Sequence, residues 1–90
     1  MSYFITCIDK TNSLTKRLSI RERHINYLTK FKSKLVTAGP LIGKDGKPYG
    51  SLLILDFKIL SELQDFLEND PYTLEGLFKE VIIREFKKVF

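Results

Sequence analysis

Hydrophobic and polar positions follow two different spacings in the first third of the chain. The run Tyr3–Ile8 is aromatic and β-branched, which predicts a strand. Apolar residues then recur at positions 20, 27, 28 and 31, and His24 falls on the same stripe with the 3.6-residue period of a helix. Ser19 and Glu22 have the spacing of a capping box. The pattern therefore predicts a helix from about Ile20 to Ser33.

The middle of the chain contains two apolar runs separated by turn-forming residues. Leu35–Ala38 predicts a short strand that ends at Gly39 and Pro40, and the segment from Gly43 to Gly50 is rich in turn formers. Ser51–Phe57 is apolar without alternation, so both faces of this strand are expected to be covered. We expect it to be central in its sheet.

The last third returns to helical spacing and ends in another strand. Apolar residues within Leu60–Glu68 predict a second helix, and Asp70-Pro71 should stop it because the residue before proline resists the helical conformation. Tyr72–Gly76 is expected to be a short connector. Leu77–Phe86 predicts the last strand.

The resulting order, β-α-β-β-α-β, is typical of the α+β class with a ferredoxin-like split βαβ arrangement. Two helices then cover one face of a four-stranded antiparallel sheet, and residues 1–90 form a single domain. A chain of ninety residues buries only roughly 60 to 65% of the surface that its unfolded state would expose. This chain is nevertheless 43% hydrophobic, with seven Phe and four Tyr. Because nothing else in the chain can cover the second sheet face, we predict a homodimer or a higher homo-oligomer.

Charge and cysteine content narrow the class of protein. The net charge is +4, but acids are interspersed with bases, and a solvated helix face explains the basic stretch from Lys16 to Lys34. Nucleic-acid binding is therefore not expected; RNA binding on the sheet would need exposed aromatic residues and a monomer. The lone Cys7 forms no intrachain disulfide and is expected to be a buried packing residue.

The expected location is cytoplasmic, without membrane association. No apolar run approaches ~18 residues, and a strand that starts at the second or third residue leaves no room for a signal peptide. A single His and a single Cys do not make a metal-ligand set, and no glycine loop precedes a helix to hold phosphate. The sequence thus predicts neither a metal nor a cofactor.

His24 is the first candidate for chemistry because an imidazole on a core-facing stripe needs hydrogen-bond partners and titrates near neutrality. It is either a satisfied core residue or a general base. Asp70 would orient the ring if the two helices pack side by side, although an Asp before Pro is also an ordinary helix stop. Asp9 is the alternative orienter, but pairing with Arg17 or Arg21 is the favoured role for it.

Residues near the predicted pocket supply candidates for ligand binding. A guanidinium such as that of Arg17 suits a carboxylate, although surface solvation is its default role. The Ser51 hydroxyl can reach a ligand, and the Tyr72 ring can cap a cavity or simply pack. The full set of candidates is Arg17, Gly39, Pro40, Ser51 and Tyr72.

Several segments together resemble the YciI-like family of the dimeric α+β barrel superfamily, in the right order along nearly the whole chain. They are Tyr3-Phe4-Ile5, Lys16-Arg17-Leu18 followed by Arg21 and His24, Leu35–Pro40, Gly50-Ser51, Asp70-Pro71-Tyr72, Gly76 and Phe86–Phe90. The sequence departs from the family pattern at Glu75, at Glu85 and in a shortened loop from Leu41 to Tyr49.

This resemblance implies a ferredoxin-like fold and an active site built around a histidine and an aspartate. Relatives with assigned reactions act on small, ring-derived or muconate-type acids by isomerisation or by elimination of chloride. Two functions stay open: an enzyme that uses His24 and Asp70 for proton transfer on a small organic acid, and a non-catalytic ligand-binding or accessory module with the same pocket.

Overall fold

The computed structural model describes residues 2–90, and its main elements follow the predicted order. In chain order they are β1 (Ser2–Asp9), α1 (Leu14–Thr29), a 3-10 turn (Lys32–Lys34), β2 (Leu35–Ile42), β3 (Pro48–Leu55), α2 (Leu60–Glu68), α3 (Pro71–Leu74) and β4 (Phe78–Phe86). The four strands form one antiparallel sheet in the order β2-β3-β1-β4. The predicted ferredoxin-like α+β fold is confirmed, with β3 in a central position.

The helices pack on one face of this sheet because alternate residues of the central strands point toward them. Ile5 on β1 lies opposite Leu53 on β3, and both are almost fully buried. Cys7 on the same face is 1% exposed, which confirms its predicted packing role. Leu63 and Phe66 of α2 complete this core, with Tyr27 and Leu28 of α1 beside them, and Phe31, which precedes the 3-10 turn, packs there as well.

The opposite sheet face has apolar side chains that the chain leaves partly exposed. Phe4 lies opposite Ile54, and Thr6 lies opposite Ile82, all partly buried. The expected cover of β3 is confirmed on the helix side. Within residues 2–90 no element packs over this open face.

Helix α1 begins at Leu14, six residues before the predicted start at Ile20. The predicted capping box is wrong, because Ser19 lies inside the helix and its hydroxyl donates to the Lys16 carbonyl at 2.7 Å. The hydropathy pattern did not indicate the first turns of the helix because a charged residue, Arg17, occupies the buried stripe that continues through Ile20 and His24. The helix also ends at Thr29 rather than at Ser33, where the chain passes into the 3-10 turn.

The two strands of the β2–β3 hairpin also differ from the predicted ranges. Gly39 and Pro40 lie within β2 instead of ending it. Proline is tolerated there because β2 is an edge strand, which has unpaired backbone positions. Strand β3 runs over Pro48–Leu55 rather than Ser51–Phe57, so the turn is shorter than predicted, with Gly46 at a φ of 78°.

The second half of the chain follows the prediction closely. Helix α2 has the predicted bounds, and Asp70 caps the short helix α3 by accepting the Tyr72 amide at 3.0 Å. Gly76 then reverses the chain at a φ of 69°, a conformation that side chains with a Cβ rarely adopt. This reversal leads into β4 and leaves Tyr72 beneath α1.

Candidate active site

One stripe of α1 faces a cavity of about 230 Å³ between this helix and the sheet. Arg17, Arg21, His24 and Leu28 stand three or four residues apart, so they project from the same side of the helix. Strands β2 and β3 form the opposite wall. The cavity is lined by Arg17, Leu18, Arg21, His24, Ile25, Leu28, Ala38, Gly39, Pro40, Pro48, Ser51, Leu52, Leu53 and Tyr72.

A buried carboxylate holds the His24 ring. Nδ1 of His24 lies 2.8 Å from Oδ1 of Asp70, and the two side chains are 10% and 2% exposed. A carboxylate only accepts, so Nδ1 carries the proton of this hydrogen bond and neutral His24 has its free lone pair on Nε2. Nε2 has no hydrogen-bond partner within residues 2–90 and is not sealed from solvent. It is the ring nitrogen that a ligand in the cavity can reach.

Tyr72 supports the flat side of the imidazole. Its ring stacks on that of His24 with 4.0 Å between centroids and 19° between planes. Ile20 and Leu77 pack around Tyr72, so α3 is fixed against the underside of α1. Since Asp70 and Tyr72 belong to the same short helix cap, one local structure positions both the edge and the face of the His24 ring.

A second buried pair lies next to Tyr72. Nε of Arg17 donates to Oδ2 of Asp9 at 2.6 Å, and Nη2 donates to Oδ1 of Asp9 at 3.0 Å and to Oγ of Ser51 at 2.8 Å. The guanidinium carbon lies 4.7 Å from the centre of the Tyr72 ring. Surface solvation, the default expectation for Arg17, is wrong, because the residue is 3% exposed.

Asp9 has the role that the sequence analysis favoured for it, an ion pair with an arginine. Asp9 pairs with Arg17, whereas the contact to His24 comes from Asp70. The backbone explains this choice. Asp9 ends β1 beside the first turns of α1, and Asp70 begins α3 beside the middle of α1.

Burial keeps two further groups in their neutral forms. The pKa of Tyr72 is raised, chiefly by burial, while the positive charges of Arg17 and Arg21 oppose the rise. The Tyr72 hydroxyl is therefore a hydrogen-bond donor near neutral pH rather than a base. Burial, with a smaller effect from the Asp70 carboxylate, raises the pKa of the Cys7 thiol to about 12, so this cysteine is not a nucleophile at neutral pH.

The structure brings the sequence-predicted site residues together around one cavity. Five of them line it, namely Arg17, Gly39, Pro40, Ser51 and Tyr72. His24 also lines it, and Asp70 lies behind the ring of His24. Sequence reasoning missed the apolar walls formed by Leu18, Ile25, Ala38 and Pro48. The spacing of residues 18, 21, 25 and 28 beside the His24 stripe was the signal that could have found the helical part of this wall.

The polar side chains at this cavity include an imidazole with its carboxylate partner and two hydroxyl groups. Residues 2–90 contain no cluster of three His, Cys, Asp or Glu side chains placed to hold a metal ion. No helix in the same range combines the length and the apolar character needed to cross a membrane. A positioned imidazole, its carboxylate partner and neutral hydroxyl donors around a small cavity are the groups that general acid–base chemistry uses.

The fold and this site define a ferredoxin-like α+β protein with a His–Asp pair at a small cavity. The chain belongs to the YCII-related domain family, whose family model matches residues 1–87. Protein YciI of Escherichia coli O6:H1 is 37% identical to it over an alignment of 98 positions that covers all of both chains. A Haemophilus influenzae protein without an assigned function has the same identity and coverage.

Solved structures with the same architecture include an enzyme with a bound ligand. The chain superimposes with a TM-score of 0.91 on 5-chloro-2-hydroxyhydroquinone dehydrochlorinase from Burkholderia phenoliruptrix, solved in complex with 2,5-dihydroxybenzoquinone. That enzyme is 34% identical, and the match covers 97% of this chain and 94% of the enzyme. A NIPSNAP family protein from Agrobacterium tumefaciens, 13% identical with a TM-score of 0.59, shares the fold alone; the match covers 99% of this chain and 93% of that protein.

Proposed function

We propose that this protein is a small-molecule enzyme in which Nε2 of His24 moves a proton on a small organic acid. One observation carries the proposal. The buried carboxylate of Asp70 lies 2.8 Å from Nδ1 of His24, and the His24 side chain also lines the cavity. This arrangement supports a general base whose tautomer and direction are both fixed.

The neighbouring groups support the same chemistry. When Nε2 removes a proton from the substrate, the imidazolium that forms is stabilised by the Asp70 carboxylate. Negative charge then develops on a substrate oxygen. The neutral Tyr72 hydroxyl and the Ser51 hydroxyl, which accepts from Arg17 and keeps its own proton, are donors available to that oxygen.

Two reaction types fit a single base. In an elimination, the proton passes to Nε2, a new double bond forms, and chloride leaves with the electron pair of its bond to carbon. In an isomerisation, the same proton returns to a different carbon. The high structural similarity to a dehydrochlorinase supports the elimination type.

The size of the cavity supports a one-ring substrate. A cavity of about 150 Å³ holds benzene, and drug-sized ligands occupy about 300–1,000 Å³. The 230 Å³ cavity lies between these limits, so it fits one substituted six-membered ring.

The test is turnover by the purified protein. It is supplied with 5-chloro-2-hydroxyhydroquinone and, separately, with chlorinated muconate-type lactones, and chloride release and absorbance changes are followed. We expect turnover that falls by about 10²–10⁴-fold in His24→Ala, the range that a general base contributes. Asn26→Ala, an exposed position on the same helix that does not line the cavity, is the matched control and should retain activity.

Equal rates in the wild type and in His24→Ala would contradict the proposal. Binding of these compounds without turnover by the wild type would favour the alternative, a non-catalytic ligand-binding or accessory module.

We further propose that a second copy of the chain covers the open sheet face. Phe4, Ile54 and Ile82 lie on that face and are only partly buried by their own chain. A face of this composition loses apolar contact with water when a second sheet packs against it.

A further inference from the structure

We propose that the cavity selects small monocyclic organic oxyanions over neutral rings of the same shape, and that Arg21 is the residue that sets this selectivity. The inference rests on the proposed function only in using the same cavity; it concerns binding and does not require turnover. Three observations carry it: unused donors on a buried arginine, an unpaired arginine at the cavity wall, and apolar walls elsewhere.

The first observation concerns the donors of Arg17. Asp9 and Ser51 take its Nε proton and both Nη2 protons, which are three of the five N–H groups of a guanidinium. The Nη1 protons have no partner within residues 2–90, yet that nitrogen is not sealed from solvent. Since Arg17 is 3% exposed and lines the cavity, Nη1 is a preformed donor for a ligand oxygen.

The second observation concerns charge. Asp9 is paired with Arg17, and Asp70 is paired with His24. Arg21 lines the cavity, is solvent-exposed, and forms neither an ion pair nor a side-chain hydrogen bond within residues 2–90. Within the described residues, no carboxylate neutralises the charge of Arg21.

The third observation is that apolar walls complete the cavity around these groups, which follow one another along α1. With a rise of about 1.5 Å per residue, Arg21 stands about 4.5 Å from His24 and about 6 Å from Arg17 along the helix axis. Apolar side chains such as Leu28 and Ala38 contact the rest of a bound molecule. This layout fits a flat ring that presents its acidic proton to Nε2 and an ionised oxygen to the two arginines.

The test compares affinities for matched charged and neutral rings by calorimetry or NMR titration. Benzoate against benzamide tests a carboxylate on the ring, and 4-nitrophenolate against the nearly isosteric, neutral 4-nitroaniline tests an oxygen on the ring itself. We expect the wild type to prefer the anion of at least one pair by about tenfold, as charge-assisted hydrogen bonds allow. The pair with the larger preference identifies which oxyanion the site takes.

Arg21→Gln should reduce that preference at least about fivefold, and Arg21→Lys should retain most of it, because the lysine keeps the charge. Arg23→Gln is the matched control. It removes the same charge two residues away, but Arg23 does not line the cavity and pairs with Glu75 instead, so the preference should stay within about twofold of the wild-type value.

No preference in either pair, or equal effects of Arg21→Gln and Arg23→Gln, would overturn the inference. His24→Ala separates it from the proposed function. That variant should lose turnover and keep the preference for the anion, whereas a wild type that prefers anions without turning over any substrate would leave the inference standing and remove the catalytic proposal.

Discussion

Oδ1 of Asp70 lies 2.8 Å from Nδ1 of His24, although 46 residues separate the two in the chain. The same oxygen accepts the backbone amide of Tyr72 at 3.0 Å. One carboxylate oxygen therefore caps α3 and orients the imidazole. The direction of the ring is tied to the backbone of a helix end rather than to a mobile side chain.

This double role predicts different effects for two substitutions of Asp70. Asp70→Asn keeps an oxygen for both contacts but removes the charge that stabilises an imidazolium. We expect kcat/KM to fall about 10²-fold with little change in stability. Asp70→Ala also removes the helix cap and should lower the free energy of unfolding by a further ~1–2 kcal/mol, measured by urea denaturation. Equal stability of the two variants would argue against the capping role.

The buried pair of Arg17 and Asp9 should dominate the stability of this end of the sheet. Their side chains are 4% and 6% exposed, so Arg17→Met leaves a buried carboxylate without its partner. We expect a loss of about 3–5 kcal/mol in urea denaturation. The double variant Arg17→Met/Asp9→Asn should be more stable than Arg17→Met alone because it removes the unpaired charge.

The exposed pair of Arg23 and Glu75 provides the comparison. Its atoms are 3.8 Å apart and its side chains are 59% and 46% exposed, so Arg23→Met should cost less than about 1 kcal/mol. Similar losses for Arg17→Met and Arg23→Met would contradict the assignment of Arg17 to the buried core.

The Cys7 thiol predicts a pH dependence of stability. Burial raises its pKa from 9.0 to about 12, so the folded state holds the proton more tightly than the unfolded chain does. Its stabilising contribution is complete below pH 9 and is lost as pH rises toward 12. Over that window, the free energy of unfolding should fall more steeply in the wild type than in Cys7→Ala, by up to ~1.4 kcal/mol per pH unit. Parallel curves would mean that the thiol titrates normally.

The open sheet face predicts how the oligomer can be disrupted. Ile54→Asp places a charge opposite Phe4 at the centre of that face and should shift the protein toward monomers in sedimentation experiments. Ile59→Asp is the matched control, because Ile59 is 55% exposed at the N-cap of α2, where aspartate is favourable. A monomeric wild type would remove the proposed dimer.

Local sequence signals located some elements accurately and others poorly, for identifiable reasons. The spacing of apolar residues together with Asp70-Pro71 gave the bounds of α2 because that helix buries only apolar side chains. Helix α1 was predicted too short because its first buried residue is Arg17, whose burial depends on Asp9. A hydropathy pattern carries no information on such a pairing.

The candidate site, too, could be predicted from the sequence only in part. The sequence shows an imidazole, His24, on an apolar stripe, and it shows Asp70-Pro71 after α2. The hypothesis that Asp70 rather than Asp9 orients His24 required the two helices to pack side by side, and only the structure shows which helix end lies against the middle of α1.

The sequence by itself determined the order of the elements, the stripe that carries His24 and the family to which the chain is similar, because periodicity and turn residues act over a few neighbouring positions. Tertiary structure decided that Arg17 is buried, that Asp70 meets His24 and that a 230 Å³ cavity lies beside them. These features depend on distances between elements far apart in the chain, which only the packing of α1 and α3 against each other and of the helices on the sheet can set.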